Sequence, residues 1–352
     1  MSKPPRFDSL YSPGRTSLFP ADIQSGIRGL TGWATQSLDE IDIPDLVEKI
    51  SQLSPATVLQ VGEEISHLAG LYYHGGYYAR ADDEIRTSCE KSILQKTKYL
   101  EFILMFHGNG FLREAALKKL SGSLPGPLFV AAVAYRLNDW VEEVRVAARG
   151  CLARVLPRTD SRVIAEAGIY LIHQMWFWRR AGDHLTALTD ELSKPEIMAA
   201  LARTITRQTT GPLARTLRNA LRFGTMDQHL EMLAQSALSP AVRAVAIEAL
   251  IDGRARWLDG HQQEWIDKSM SLHRRVPRYS YRPLTIDTDI EAQIRRAAVD
   301  RVAIVRKLAA QKLIEHRHKL PPMDDIAHVL AQDRSPAVRE RANFYLLKMD
   351  LQ

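Results

Sequence analysis

One short pattern recurs five times and limits the chain to a narrow set of folds. An aliphatic residue is followed by Arg, then by Ala four positions after the aliphatic, then by Leu eight after it. The copies are Leu112-Arg113-Ala116-Leu120, Val144-Arg145-Ala148-Leu152, Val242-Arg243-Ala246-Leu250, Val305-Arg306-Ala309-Leu313 and Val338-Arg339-Ala342-Leu346. Their aliphatic positions lie 32, 98, 63 and 33 residues apart, close to one, three, two and one units of about 32. A period in this range indicates stacked helical repeats. Positions i, i+4 and i+8 share one helix face, so each copy gives a helix with a small residue where a neighbour comes close and Leu beyond it. Ser239-Pro240 and Ser335-Pro336 mark two of the helix starts, because a proline at the first helical position loses no hydrogen bond. A second apolar segment precedes most copies, at 128–137, 230–238, 290–299 and 326–330. The expected unit is therefore a helical hairpin. Each unit packs only on its neighbours, so a chain of 352 residues is not bound by the size of one core.

Three copies add an acid. Asp139, Asp300 and Asp333 each lie six positions before Arg145, Arg306 and Arg339. An Arg near a helix N-terminus is poorly placed for the helix dipole, and a nearby carboxylate offsets this. Asp at the turn and Arg on the second helix resemble the signature of the HEAT-repeat family, over roughly residues 108–350. That resemblance implies an all-α, right-handed α-solenoid of HEAT-like helical hairpin repeats. It also implies that Asp and Arg bond within and between repeats as a ladder. Ala237 and His107 occupy the Asp position for Arg243 and Arg113, so the ladder is expected to lapse there.

Residues 1–43 hold Pro4, Pro5, Pro13 and Pro20 with many Ser, Thr and Gly and no helical period, which reads as a flexible N-terminal arm. Residues 44–107 read as an N-terminal helical cap region, opened by Pro44 and closed by one long helix from Asp82 to about His107. Tyr72, Tyr73, Tyr77 and Tyr78 surround Gly75-Gly76, as a helix end and turn would. Residues 108–352 are the repeat array. Its pattern lapses at Met175–Trp178, at Gly211-Pro212 and over 271–287, where an irregular loop is expected. Long loops within compact arrays are where function concentrates.

Net charge is +6, unevenly placed: residues 1–135 carry 13 Lys and Arg against 15 Asp and Glu, and residues 136–352 carry 34 against 26. The basic C-terminal part favours an acidic partner or nucleic acid. Two lapses supply candidate partner-binding residues. Arg274, Arg275, Arg278, Tyr279, Tyr281 and Arg282 interleave guanidinium groups with rings, a mixture suited to phosphate or carboxylate and to stacking. Trp176, Trp178, Arg179 and Arg180 form the second set. No HExxH, GxSxG, CxxC or P-loop pattern occurs, so neither catalytic residues nor a cofactor or metal are expected. No apolar run approaches the ~20 residues of a membrane span, and no secretory signal is visible at the N-terminus, so the expected location is cytoplasmic.

The function expected from these features is a non-catalytic scaffold or adaptor. It would hold a macromolecular partner, an acidic protein first, on the concave face formed by the second helices; an inhibitor or immunity-type role is compatible. The alternative is nucleic-acid binding through the basic C-terminal surface. Some alkylpurine DNA glycosylases are built from HEAT-like repeats, but no Trp here is followed four residues later by Asp, so no catalytic residue carries over.

Overall fold

The structure, a computed structural model, describes residues 17–72 and 81–349, with side chains in 81–96 described from Ile85 onward. These residues form eighteen α-helices and a single two-stranded sheet. Two compact units divide the chain, Met1–Leu192 and Ser193–Gln352. Among the described residues, no helix is long and apolar enough to cross a membrane.

The first unit holds α1 (Ala21–Gly29), α2 (Ile43–Ser51), α3 (Val58–Leu68), α4 (Ala81–Lys96), α5 (Leu100–Leu104), α6 (Gly110–Lys119), α7 (Pro127–Tyr135), α8 (Glu142–Val155), α9 (Ser161–Leu171) and α10 (Thr186–Leu192). Its N-terminal part corrects the expected arm. Within 17–43, α1 buries Ile23 and Ile27, and Leu30 and Trp33 follow into the core. Glu64 on α3 fastens the segment by accepting from the Leu18 amide at 3.0 Å. Two turns of apolar stripe were hidden by the Pro- and Ser-rich composition around them. Residues 1–16 lie outside the described residues, as do Tyr73, Tyr77 and Tyr78. The long helix expected from Asp82 to His107 is two helices. Tyr99 adopts φ of 66°, a left-handed conformation that no helix interior accepts. The break turns Leu100, Ile103 and Leu104 into the core. Beyond it, α6 packs on α8 and α7 on α9.

The second unit holds α11 (Pro195–Arg207), α12 (Leu213–Ala220), α13 (Leu230–Ser236), α14 (Pro240–Asp252), β1 (Arg254–Asp267), β2 (Leu272–Pro283), α15 (Ile290–Ala298), α16 (Ala303–His316), α17 (Asp324–Ala331) and α18 (Pro336–Met349). The second helices α12, α14, α16 and α18 pack in succession, with α11 on α13 and α15 on α17. Helix α14 packs directly on α15 and α16. The 63-residue interval between Val242 and Val305 is therefore one repeat and not two: the thirty residues of 254–283 form a β-hairpin inserted between neighbours. This corrects the irregular loop expected over 271–287, most of which is strand β2.

The recurring Arg and Asp do join repeats, by a division of labour the sequence did not show. Each Arg donates from Nη1 to the backbone carbonyl six positions earlier: His107 (2.9 Å), Asp139 (2.7 Å), Ala237 (2.8 Å), Asp300 (2.8 Å) and Asp333 (2.8 Å). The carboxylate of each Asp instead accepts the fork of the preceding Arg. Arg113 gives two bonds to Asp139, at 3.1 and 2.7 Å. Arg243 gives two to Asp300, at 2.7 and 2.8 Å, across the inserted hairpin. Arg306 does the same to Asp333. Hence the ladder does not lapse at Arg113 or Arg243, since any residue offers the carbonyl that the Arg needs from its own repeat. Burial opposes the charge of Asp139, but the Arg113 fork and Arg136 override it and hold the carboxyl below its ordinary range.

Candidate functional site

The inserted hairpin is the feature of the second unit that packing does not explain. Its strands pair antiparallel from Arg254↔Pro283 to Asp267↔Leu272. The tip closes on Asp267, whose Oδ1 accepts from the Ser269 amide at 2.8 Å and the Ser269 hydroxyl at 2.6 Å. Those bonds lower the Asp267 pKa. Between Leu258 and His261 the register slips by one residue, and Gly260 there takes φ of 101°, which a side chain strongly disfavours. Pro277 pairs opposite His261, next to this bulge.

Arg282 anchors the base. It donates to both oxygens of Asp227 at 2.7 Å and to the carbonyls of Leu221 (3.0 Å) and Phe223 (3.1 Å). Asp227 is fully buried. Arg222, just past α12, donates to the Leu258 carbonyl at 3.0 Å and lies over the Trp257 ring, 5.2 Å from its centroid. Burial draws its pKa down to about 10, which leaves it charged at neutral pH. Beyond the bulge, His261 to Ile266 and Leu272 to Arg275 are exposed on both faces. The distal ribbon thus extends from the body by about 20 Å, at ~3.3 Å per residue.

Strand alternation sorts the ribbon's side chains into two unlike faces. On one face every Arg meets an acid. Arg274 pairs with Glu264 at 2.7 Å, Arg278 with Asp259 at 3.4 Å, and Arg282 with Asp227. The other face carries Arg254, Arg256, His261, Trp265, His273, Arg275, Tyr279 and Tyr281. There the arginines lie against rings. Arg256 is 3.9 Å from the Tyr279 centroid, Arg254 is 4.8 Å from that of Tyr281, and Arg275 donates to His261 Nδ1 at 3.3 Å. Trp265 meets His273 edge-on at 5.5 Å. Among the described residues, Arg254 and Arg275 have no carboxylate at ion-pairing distance, and Arg256 reaches Glu248 only at 4.0 Å. The ribbon as a whole has seven Lys and Arg against three Asp and Glu over 254–283.

Of the residues expected from the sequence, Arg275, Tyr279 and Tyr281 therefore share the ring-lined face. Arg274 and Arg278 are turned to the paired face, and Arg282 is a structural anchor. Arg254, Arg256, His261 and Trp265 were missed. The signal was there in the alternation Arg254, Arg256, Leu258 and Tyr279, Tyr281, but it was masked by the two prolines of β2.

The other candidate set lies in the first unit. Trp178 is half-buried with its ring 5.0 Å from that of Tyr135. Trp176 is half-buried beside the buried Met175. Arg180 covers the exposed ring of Trp140 at 4.5 Å, and its amide donates to Asn138 Oδ1 at 3.0 Å. Arg179 is exposed. These contacts fold the segment back onto the turn after α7, so packing accounts for most of them. In the second unit, Asp252, Glu315 and His316 have the spacing of metal ligands. The Lys312 ammonium already supplies the cation there, 2.6 Å from Asp252 and 2.7 Å from Glu315.

Comparison with family models, with curated proteins and with solved structures gave no match.

Proposed function

We propose that the protein is a non-catalytic nucleic-acid-binding protein of the cytoplasm, in which HEAT-like hairpins stacked as an α-solenoid present a basic, aromatic β-ribbon. The carrying observation is the asymmetry of that ribbon. Carboxylates neutralise the arginines of one face, while the other keeps Arg254, Arg256 and Arg275 among exposed rings. Guanidinium groups favour phosphate through forked bonds. Rings interleaved with them add flat surface on which bases can stack. The scaffold reading is kept in this form, with its contact surface moved from the second helices to the ribbon and its partner changed from acidic protein to nucleic acid.

Fluorescence anisotropy with labelled RNA and DNA of mixed sequence tests this. Three phosphate contacts predict binding that weakens about 20-fold between 50 and 200 mM salt. Absence of binding to any of these probes at the lower salt, with retention on a poly-glutamate matrix, returns the partner to acidic protein.

A further inference from the structure

Phosphate contacts do not distinguish one strand from two, but exposed rings do. In a duplex both flat faces of each base are covered by neighbouring bases. In a single strand those faces are open, and aromatic side chains bind them without regard to sequence. The basic face of the ribbon offers three such rings. Tyr279 is 38% exposed, Tyr281 48% and Trp265 51%. The register places all three on one side of the sheet. None of them lies in the core, although each is large enough to gain from burial there.

Their spacing is informative. Tyr279 and Tyr281 are two residues apart on one strand, about 7 Å along the ribbon. Stacked bases on one strand of a duplex rise by only ~3.4 Å. The ribbon therefore matches an extended, unstacked strand. Arg256 and Arg254 lie over the Tyr279 and Tyr281 rings, 3.9 and 4.8 Å from their centroids, so a base stacks on the exposed remainder of each ring with a positive charge close by. A nucleotide offers a flat base and a phosphate in the same close pairing.

We infer that the ribbon face of Arg254, Arg256, Tyr279, Tyr281 and Trp265 binds single-stranded nucleic acid by stacking its bases, in preference to duplex. This rests on the nucleic-acid reading above and adds the strand state. The bases lie on the rings and the phosphates meet the guanidinium groups. Because every base has a flat face, the preference is for unpaired strand and not for a sequence.

The test uses the full chain and two labelled probes of about twenty nucleotides, a single-stranded oligo(dT) and the corresponding dA·dT duplex. Wild-type protein is expected to bind the single strand at least about tenfold more tightly. Tyr279→Leu with Tyr281→Leu is expected to weaken single-strand binding about 100-fold, roughly tenfold per ring, and to leave duplex binding within about twofold. Tyr279→Phe with Tyr281→Phe, which keeps both rings, stays near wild type. Both sites are exposed, and far-UV circular dichroism verifies that each variant keeps its helical content. Equal or tighter duplex binding overturns the inference, as does a Leu variant that binds the single strand like wild type. Those outcomes leave the nucleic-acid reading intact. Failure of both probes, and of the RNA probes above, at low salt overturns that reading itself.

Discussion

Asp139 is held by Arg113 at 2.7 Å and by Arg136 at 2.9 Å, with little of any carboxylate atom left in water. Removing one member of such a buried pair strands the other, which costs about 3–5 kcal/mol. Asp139→Ala is therefore expected to lower unfolding free energy by about that much in urea titration. Asp333→Ala should cost less, because Arg306 is the more exposed partner. The ladder also predicts a direction with pH. The Arg306 fork lowers the Asp333 pKa, and Arg243 does the same for Asp300 against the opposing effect of burial. Folded values below the unfolded value of ~3.9 mean that this stability is complete above that pH. It is lost as pH falls through the folded values. Acid unfolding of Asp300→Asn should accordingly be less steep with pH than that of wild type. At this scale the sequence was a good guide to which residues matter and a poor one to their partners. The spacing of Asp and Arg was plain, but whether a carboxylate serves its own repeat or the preceding one depends on the packing between helices. So does the use of the Ala237 and His107 carbonyls, which leave no trace in side-chain identity.

The elements divide in the same way. The hairpin helices were legible because the aliphatic-Arg-Ala-Leu pattern recurs in step, and α7, α13, α15 and α17 fall on the four apolar segments that precede the copies. The β-ribbon was not. A two-stranded ribbon exposed on both faces has no buried stripe to give it an apolar period, and Pro277 and Pro283 argue against a strand wherever a central sheet position is assumed. The α1 helix was missed for the opposite reason, being short and embedded in Pro-rich sequence. Because the ribbon is fixed at its base and free beyond the bulge, its two parts should respond differently to change. Arg282→Ala leaves Asp227 fully buried without its fork and is expected to cost about 3–5 kcal/mol. Replacing 261–276 by a short turn should leave the thermal midpoint within a few degrees of wild type, since that stretch contributes almost no buried area. A large loss of stability in the shortened chain, measured by thermal denaturation, would show that the distal ribbon is part of the core.

Over the whole molecule the charge is the most telling quantity. The chain carries +6, and residues 254–283 alone account for +4 of it, seven basic residues against three acidic. The sequence showed the excess of +8 in the C-terminal part, but not that half of it lies in one two-stranded element, nor which of its arginines find carboxylates across the sheet. The ladder uses five arginines internally, whereas Arg254, Arg256 and Arg275 of the ribbon lie against exposed rings. Electrostatic binding of this kind is measured by its response to salt. The direct test is the slope of log affinity against log salt concentration for single-stranded nucleic acid, compared between wild type and the Arg254→Ala, Arg256→Ala, Arg275→Ala triple variant. Loss of three phosphate contacts predicts a slope shallower by about 2, at ~0.7 per contact on a single strand. An unchanged slope in a correctly folded variant would contradict the assignment of the ribbon as the binding surface.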